Sequence, residues 1–521
     1  MGRMTERRPN VLFIICDQLR HDHLGFAGNG IVRTPNIDAL AARGMVYDNA
    51  WVANPVCMPN RSTIMTGRLP SAHGVIFNDR SLDWGANTHV RTFRNAGYRT
   101  GLFGKSHLQH GLSRNAVRAI PREPVQADPW PDGWNDLENA ELYDDGLPPW
   151  PDDFYGFDKV ELSIDHGSRV TGHHLRWALE RGGRYEDLVV PMTAESPATR
   201  RSDRWWQVYQ PPYGPELHST TFVTERTVAF IEEAAAQQQP WLAWASFPDP
   251  HHPMAVPGEW FDRHDPADMP LPATIDDPLD YAPKYLRYLR QLPADRQFTW
   301  VSAFGAVDHD LVREAIAATY GLVEMIDDGI GRILATVDAL GQTDDTIVVF
   351  TADHGEMMGD HGLMLKGFMH YRGTLQVPLV IADPTQPAGR TDSLACSLDL
   401  GSTLLDLAGL PAYDGIQGVS LAPTLADPSA TVRDHLLIED DLPPGLAALM
   451  RTPDKTRTVI TADGTKYTRH SNGDDMLFDL LADHDELHPI TADATRRAQA
   501  VDVLASAVIE ASDSARGAPT G

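Results

Sequence analysis

Cysteine is scarce in this chain: Cys16, Cys57 and Cys396 are the three among 521 residues. An odd number without zinc-ligand spacing excludes a disulfide framework and a structural zinc site, which leaves Cys57 free for chemistry. Lysine is almost as rare, at positions 105, 159, 284, 366, 455 and 466. The formal net charge is −28, an acidic excess that repels phosphate backbones and anionic bilayers and argues against nucleic acid and membrane partners. No apolar run approaches a membrane span, and Val11 to Cys16 is too short for a signal peptide and runs straight into Asp17. A cytoplasmic location is expected. No Gly-x-Gly-x-x-Gly follows the first apolar run, which disfavours a dinucleotide-binding oxidoreductase. Neither an internal repeat nor a low-complexity linker is present.

What is there reads as an α/β chain too long for one core. After a basic start over residues 1–9, expected to be disordered, apolar runs at Asn10 to Cys16, Tyr98 to Phe103, Trp241 to Phe247, Asp345 to Thr351 and Val377 to Ile381 have the length of buried strands. A shorter strand is expected within Met45 to Ala50. Helical patterns fall between them, over Thr34 to Gly44, Thr88 to Ala96, Thr220 to Ala235, Leu311 to Leu340 and Ser397 to Leu407. The alternation is that of a doubly wound parallel sheet, and the fold class expected over residues 1–430 is α/β, a large mixed, mostly parallel sheet flanked by helices. From about 431 to 521 the texture changes to short strands and a final Ala-rich helix, a smaller C-terminal α+β subdomain. Residues 111–219, rich in Pro, Trp, Asp and Gly, are expected to form an irregular insertion or lid. Trp130, Trp134 and Trp150 there are expected to pack the loop onto the core more readily than to line a pocket. His166, His173 and His174 lack an evident carboxylate partner and stay unassigned.

The polar residues that follow the strands carry the chemistry. Asp17 and Gln18 end the first run, and ligands bind beyond the carboxyl ends of strands in open α/β sheets. Arg20-His21-Asp22-His23 looks like a metal cluster, but neighbours on an extended segment point opposite ways, so a locally paired loop is expected. Gly104-Lys105-Ser106 lacks the glycine spacing of a phosphate-binding loop. Asp17, Lys105, His251 and Asp353 each lie within four residues of an expected strand end, so all four should gather on one edge of the sheet. Pro55 to Arg68 places Cys57 at a helix N-terminus, whose free N–H groups, with Arg61 behind them, favour an anion. A buried, inert thiol is the competing reading.

Cys57-x-Pro59-x-Arg61 with Thr66-Gly67-Arg68 resembles the signature of the type I sulfatases, within the alkaline-phosphatase-like superfamily. Most members have Ser or Ala where this chain has Asn60. The resemblance extends to Lys105-x-His107, Pro250-His251-x-Pro253 and Asp353-His354-Gly355 with the downstream Lys366, in the same order. It implies that a formylglycine-generating enzyme oxidises Cys57 to formylglycine, one hydroxyl of whose hydrate attacks sulfur while the other later expels sulfate. It further implies that Lys105 and Lys366 hold the ester anion, His107 orients residue 57, and His251 protonates the departing alcohol, with His252 as the competing histidine. Asn78 resembles a substrate-contacting asparagine, although a structural turn residue is equally expected. Asp17, Gln18, residue 57, Asp353 and His354 form the implied metal set. Its oxygens suit calcium, and the imidazole of His354 makes manganese the alternative. The expected reaction is hydrolysis of a small-molecule or saccharide sulfate ester. Gln18 and His354 also occur in phosphonate monoester and phosphodiester hydrolases that resemble sulfatases, which typically lack the Lys-x-His pair. A non-catalytic pseudo-sulfatase that only binds metal is the reading from another class, and a homo-oligomer stays open.

Overall fold

The computed structural model of the protein describes residues 8–110, 130, 132–297, 299 and 301–512. At its centre are β1 (Asn10–Cys16), β2 (Met45–Tyr47), β3 (Arg99–Gly104), β4 (Lys159–Leu162), β5 (Trp241–Phe247), β6 (Thr346–Ala352), β7 (Leu379–Ala382) and β8 (Gly389–Thr391). They form one sheet in the spatial order β8-β2-β7-β6-β1-β5-β3-β4. Within this sheet β7 alone is antiparallel to its neighbours.

The continuous apolar runs follow from burial on both faces. Leu12 and Ile14 of β1 face a core shared with α1 (Pro35–Ala42), α4 (Ser219–Ala236) and α5 (His309–Ala339). Val11, Phe13 and Ile15 face the opposite core, shared with α2 (Cys57–Thr66), α3 (His89–Asn95) and α6 (Leu400–Leu407). Phe13 stacks on Trp244 of the adjacent strand at 4.0 Å between ring centroids. Registers align the strand ends: Cys16 lies opposite both Ala352 and Phe247, and Gly104 opposite Ser246. Polar residues that follow these four adjacent strands must therefore meet.

Strands β9 (His435–Asp441), β10 (Lys455–Thr461), β11 (Thr465–His470) and β12 (Asp475–Asp479) form a separate antiparallel sheet, in that order. Helix α7 (Ala494–Glu510) covers one face, setting Ala500, Leu504 and Ala507 against Val459, Tyr467 and Leu477. Leu69, Cys396 and Leu398 of the larger unit join that cluster.

The stretch expected to be irregular is more ordered than its composition implies. Its β4 extends the main sheet in parallel with β3, pairing Gly101 with Lys159 and Gly104 with Leu162. A four-residue edge strand reading Lys-Val-Glu-Leu is too short to show a period in sequence. Trp134 packs on Trp84, and Trp150 on Phe154 and His173, in keeping with the packing role expected for them. Trp130 lies over Gly85, where an added Cβ would come within 2.8 Å of its ring. Residues 111–129 of this stretch, residues 1–7 of the basic start and residues 513–521 lie outside the described residues. Among the described residues, no helix is long and apolar enough to cross a membrane.

Candidate active site

The edge expected to gather polar residues does so. Asp17 follows β1, Asp353 follows β6, His251 lies beyond β5 and Lys105 follows β3, and all four are buried. Helix α2 enters this edge N-terminus first, with every residue buried. Its own N-cap, Val56, offers no side-chain acceptor, and Asn78 supplies one from the next loop, accepting the Met58 N–H at 3.2 Å. The helix stops at Gly67, whose φ of +60° and contact with Ile416, 2.5 Å from where a Cβ would stand, both exclude a larger residue.

Around the Cys57 thiol stand Lys366 Nζ at 2.8 Å, His354 Nε2 at 3.1 Å and Asp17 Oδ1 at 3.7 Å. Burial alone would push this thiol up, but Lys105, Lys366, His354 and a hydrogen bond with His107 outweigh it and hold the group well below its ordinary range. Lys105 Nζ bonds Asp17 Oδ2 directly, and burial of that carboxylate is overcome by Lys105, Lys366 and Arg61, leaving it at about 2. His107 is lowered to about 4 by burial and by Lys105. His251 is driven well below its usual value by burial and by His166, Lys366 and His252.

One ligand atom each from Asp17, Cys57, Asp353 and His354 fall within 4.8 Å of one another. His354 Nδ1 donates to the carbonyl oxygen of Gly355 at 2.9 Å, which turns Nε2 toward this cluster. Gln18 holds a left-handed φ of +62°, and its Nε2 contacts His252 Nδ1 at 2.9 Å and Glu356. The other end of that amide, Oε1, is buried without a hydrogen-bond partner. Two carboxylates, an imidazole and an orphaned amide oxygen are the donor set a divalent cation requires, so the expected metal residues fit the group.

Arg61 lies beneath the cluster. Its Nε donates to Asp353 Oδ2 at 2.7 Å, and its Nη1 donates to the Lys105 carbonyl at 3.0 Å and to Ser246 Oγ at 2.8 Å. Fully buried, it supports the ligands from behind. His252 Nδ1 meets the Gln18 amide at 2.9 Å, whereas the His251 ring stacks on His166 and stands edge-on to His354, the residue that contacts Cys57. The loop Arg20 to His23 is locally paired as expected: Arg20 bonds Asp22 at 2.7 and 2.8 Å and Asp360 at 2.8 Å.

Three contributors escaped the sequence. His166, four residues beyond β4, places Nε2 3.1 Å from Lys105 Nζ and stacks on His251 at 3.6 Å. Its signal was the strand end itself, hidden in the Pro-rich stretch. Glu356 binds the Gln18 amide and accepts the Met358 N–H at 3.1 Å. Glu138 accepts backbone N–H groups from the loop that carries His107. By contrast His173 and His174 are structural, bonded to the Leu162 N–H and the Leu217 carbonyl.

The Sulfatase family model matches residues 9–410, and the model for the C-terminal part of N-sulphoglucosamine sulphohydrolase matches residues 359–511. The chain is 28% identical over 489 residues to an arylsulfatase of Clostridium perfringens, covering 92% of this chain and 89% of that protein. It is 25% identical over 448 residues to N-acetylglucosamine-6-O-sulfatase of Bacteroides thetaiotaomicron, covering 82% and 73%. The crystal structure of phosphonate monoester hydrolase of Agrobacterium radiobacter matches with a TM-score of 0.75 at 27% identity, covering 96% of this chain and 95% of that one.

Proposed function

This chain belongs to the sulfatase family and is a sulfuric ester hydrolase, and from that premise we propose how its site is equipped and on what it acts. Cys57 is matured to formylglycine by a formylglycine-generating enzyme, and the substrate is a small-molecule or saccharide sulfate ester. The observation that carries this reading is the enclosure of Cys57 Sγ by Lys366, His354 and Asp17 within 3.7 Å. The hydrated aldehyde at position 57 would supply the attacking oxygen, and a divalent ion on Asp17, Gln18, Asp353 and His354, calcium or else manganese, would supply the charge that keeps that oxygen ionised.

The remaining roles belong to side chains already in place. Lys105 and Lys366 approach residue 57 with their ammonium groups and bind the ester's sulfuryl oxygens. His107 orients residue 57. Arg61 fixes Asp353 through the 2.7 Å bond from its Nε and adds positive charge behind residue 57. An arriving ester anion opposes the burial that leaves His251 neutral, so the ring gains a proton beside the anion and passes it to the departing alkoxide oxygen. Asn78 has its oxygen on the Met58 N–H, which leaves its amide N–H groups for the ester.

Hydrolysis of a phosphonate monoester or phosphate diester is the second reading. It is favoured by Gln18 and His354 as metal donors and by the likeness to a phosphonate monoester hydrolase, and opposed by the Lys105-x-His107 pair. The test compares an aryl sulfate, an aryl phosphonate monoester and a phosphate diester for the parent and for Cys57→Ala. Sulfate turnover that disappears in Cys57→Ala is expected. Undiminished turnover in that variant refutes the role of residue 57. An unmodified thiol in peptide 50–68, by intact mass after expression in the native host, favours the non-catalytic reading.

A further inference from the structure

Glu138 is 2% exposed, and it forms no ion pair among the described residues. A buried carboxylate without a cation costs several kcal/mol unless hydrogen bonds replace its water. Here the replacement is concentrated on one loop. Oε2 accepts the His107 N–H at 2.7 Å, and Oε1 accepts those of Leu108 and Gln109, each at 2.9 Å. Three successive amides converging on one anion describe a backbone nest. The grip is reciprocated, because the Gln109 amide donates to the Trp134 carbonyl at 2.9 Å and accepts the Leu137 N–H at 2.9 Å.

The loop so held is the one on which the site depends. His107 has a φ of +55°, a left-handed conformation that costs a residue with a Cβ of order 1 kcal/mol or more unless its surroundings impose it. In that conformation its ring stands beside the Cys57 thiol and helps to hold that thiol well below its ordinary range. Lys105 is anchored independently: its N–H donates to the Ser246 carbonyl at 3.0 Å and its ammonium to Asp17 and His166. Glu138 therefore controls the second member of the Lys-x-His pair and leaves the first alone.

We propose that Glu138 is a positioning residue, whose carboxylate gathers the amides of residues 107–109 so that His107 stays turned onto residue 57. This deepens the proposed function and rests on residue 57 as the reacting group. Glu138→Gln is close to isosteric, but its amide nitrogen would face a donor N–H where an oxygen now accepts. The consequence is a loss in kcat with KM little changed, because the lysines that bind the ester are untouched.

The experiment is a double-mutant cycle of Glu138→Gln and His107→Ala, run on whichever of the three ester classes the parent hydrolyses. An error about sulfate then leaves the cycle intact. Glu138→Gln is expected to lower kcat about 10- to 100-fold, the usual cost of a supporting partner, and to raise amide hydrogen exchange across residues 105–110. Added to His107→Ala it should cost less than about twofold more, as for residues acting through one another. Glu138→Asp, one methylene short, should fall between parent and Gln variant. Asn139→Ala removes the neighbouring cap on the Glu141 N–H, 3.1 Å away, and should lower thermal stability without lowering kcat. The proposal is overturned by unchanged kcat in Glu138→Gln, by effects that multiply in the double mutant, or by an equal kcat loss in Asn139→Ala.

Discussion

Asn60, where most members of the family have Ser or Ala, bridges three segments of the chain. Its amide nitrogen donates to the Asp353 carbonyl at 2.5 Å, while its oxygen accepts Ser397 Oγ–H at 2.6 Å and the Ala53 N–H at 3.3 Å. The serine or alanine more usual at this place in the motif could not span those partners. Asn60→Ala strands buried polar groups and should cost about 1–3 kcal/mol, read as a lower denaturant midpoint. His166 makes the complementary case, a residue with no motif that the fold brings to the site. With Nε2 at 3.1 Å from the Lys105 ammonium, its replacement by alanine frees that lysine from one of its two side-chain anchors. His166→Ala should raise KM for the ester about tenfold, the worth of one hydrogen bond to a charged group. An unchanged KM would place His166 outside substrate binding. Asp17, Cys57 and Asp353 were legible because strand ends and a helix start are legible, and His354 only through the resemblance of its segment to the sulfatases. Gln18, His251 and His252 were legible as candidates only, since adjacent histidines are told apart by what each ring meets.

At the scale of the element, α2 and the loop after it act together. Met58 N–H is capped from twenty residues away by Asn78, so the loop serves the helix that carries residue 57. Asn78→Asp separates the two readings of that residue: it keeps the capping oxygen and removes the amide N–H groups. Thermal stability should hold while KM rises, and an unaltered KM would reduce Asn78 to its capping role. The small C-terminal sheet has a comparable hold on Lys366. Asp440 of β9 accepts the Phe368 N–H at 3.0 Å, and Thr458 of β10 bonds His370 at 2.7 Å, so the segment that follows Lys366 is pinned by another unit. Most long elements fell within two residues of their expected bounds. Strand β1 was matched end to end, because a strand buried on both faces writes itself as one apolar run between polar ends. Strand β4 was missed for the opposite reason, being four residues long and at the edge.

For the whole molecule, two dependences follow from how much of this chemistry is buried. His73 and His174 are depressed to about 3 and His89 to about 4, in each case chiefly by burial. An unfolded histidine titrates near 6.5, so the unfolded chain takes up protons first. The stabilisation is complete above about pH 6.5 and is lost as the pH falls toward those depressed values. The melting temperature should accordingly drop between pH 7 and pH 5, and a flat profile would contradict the burial of these rings. Chelation should also lower the melting temperature, with recovery on adding calcium or manganese, because donors from three separate chain segments converge only in the folded state. No change on chelation would count against the metal set. The sequence alone determined the class of fold, the order of the motifs and the edge on which they meet, since apolar runs of strand length and the polar residues that end them are local facts of the chain. Only the tertiary structure decided which histidine faces residue 57, what holds His107 in a left-handed turn, and that a Pro-rich stretch delivers Glu138 and His166 to the site. Those are contacts between segments far apart in the chain, set by registers and packing that no local pattern encodes.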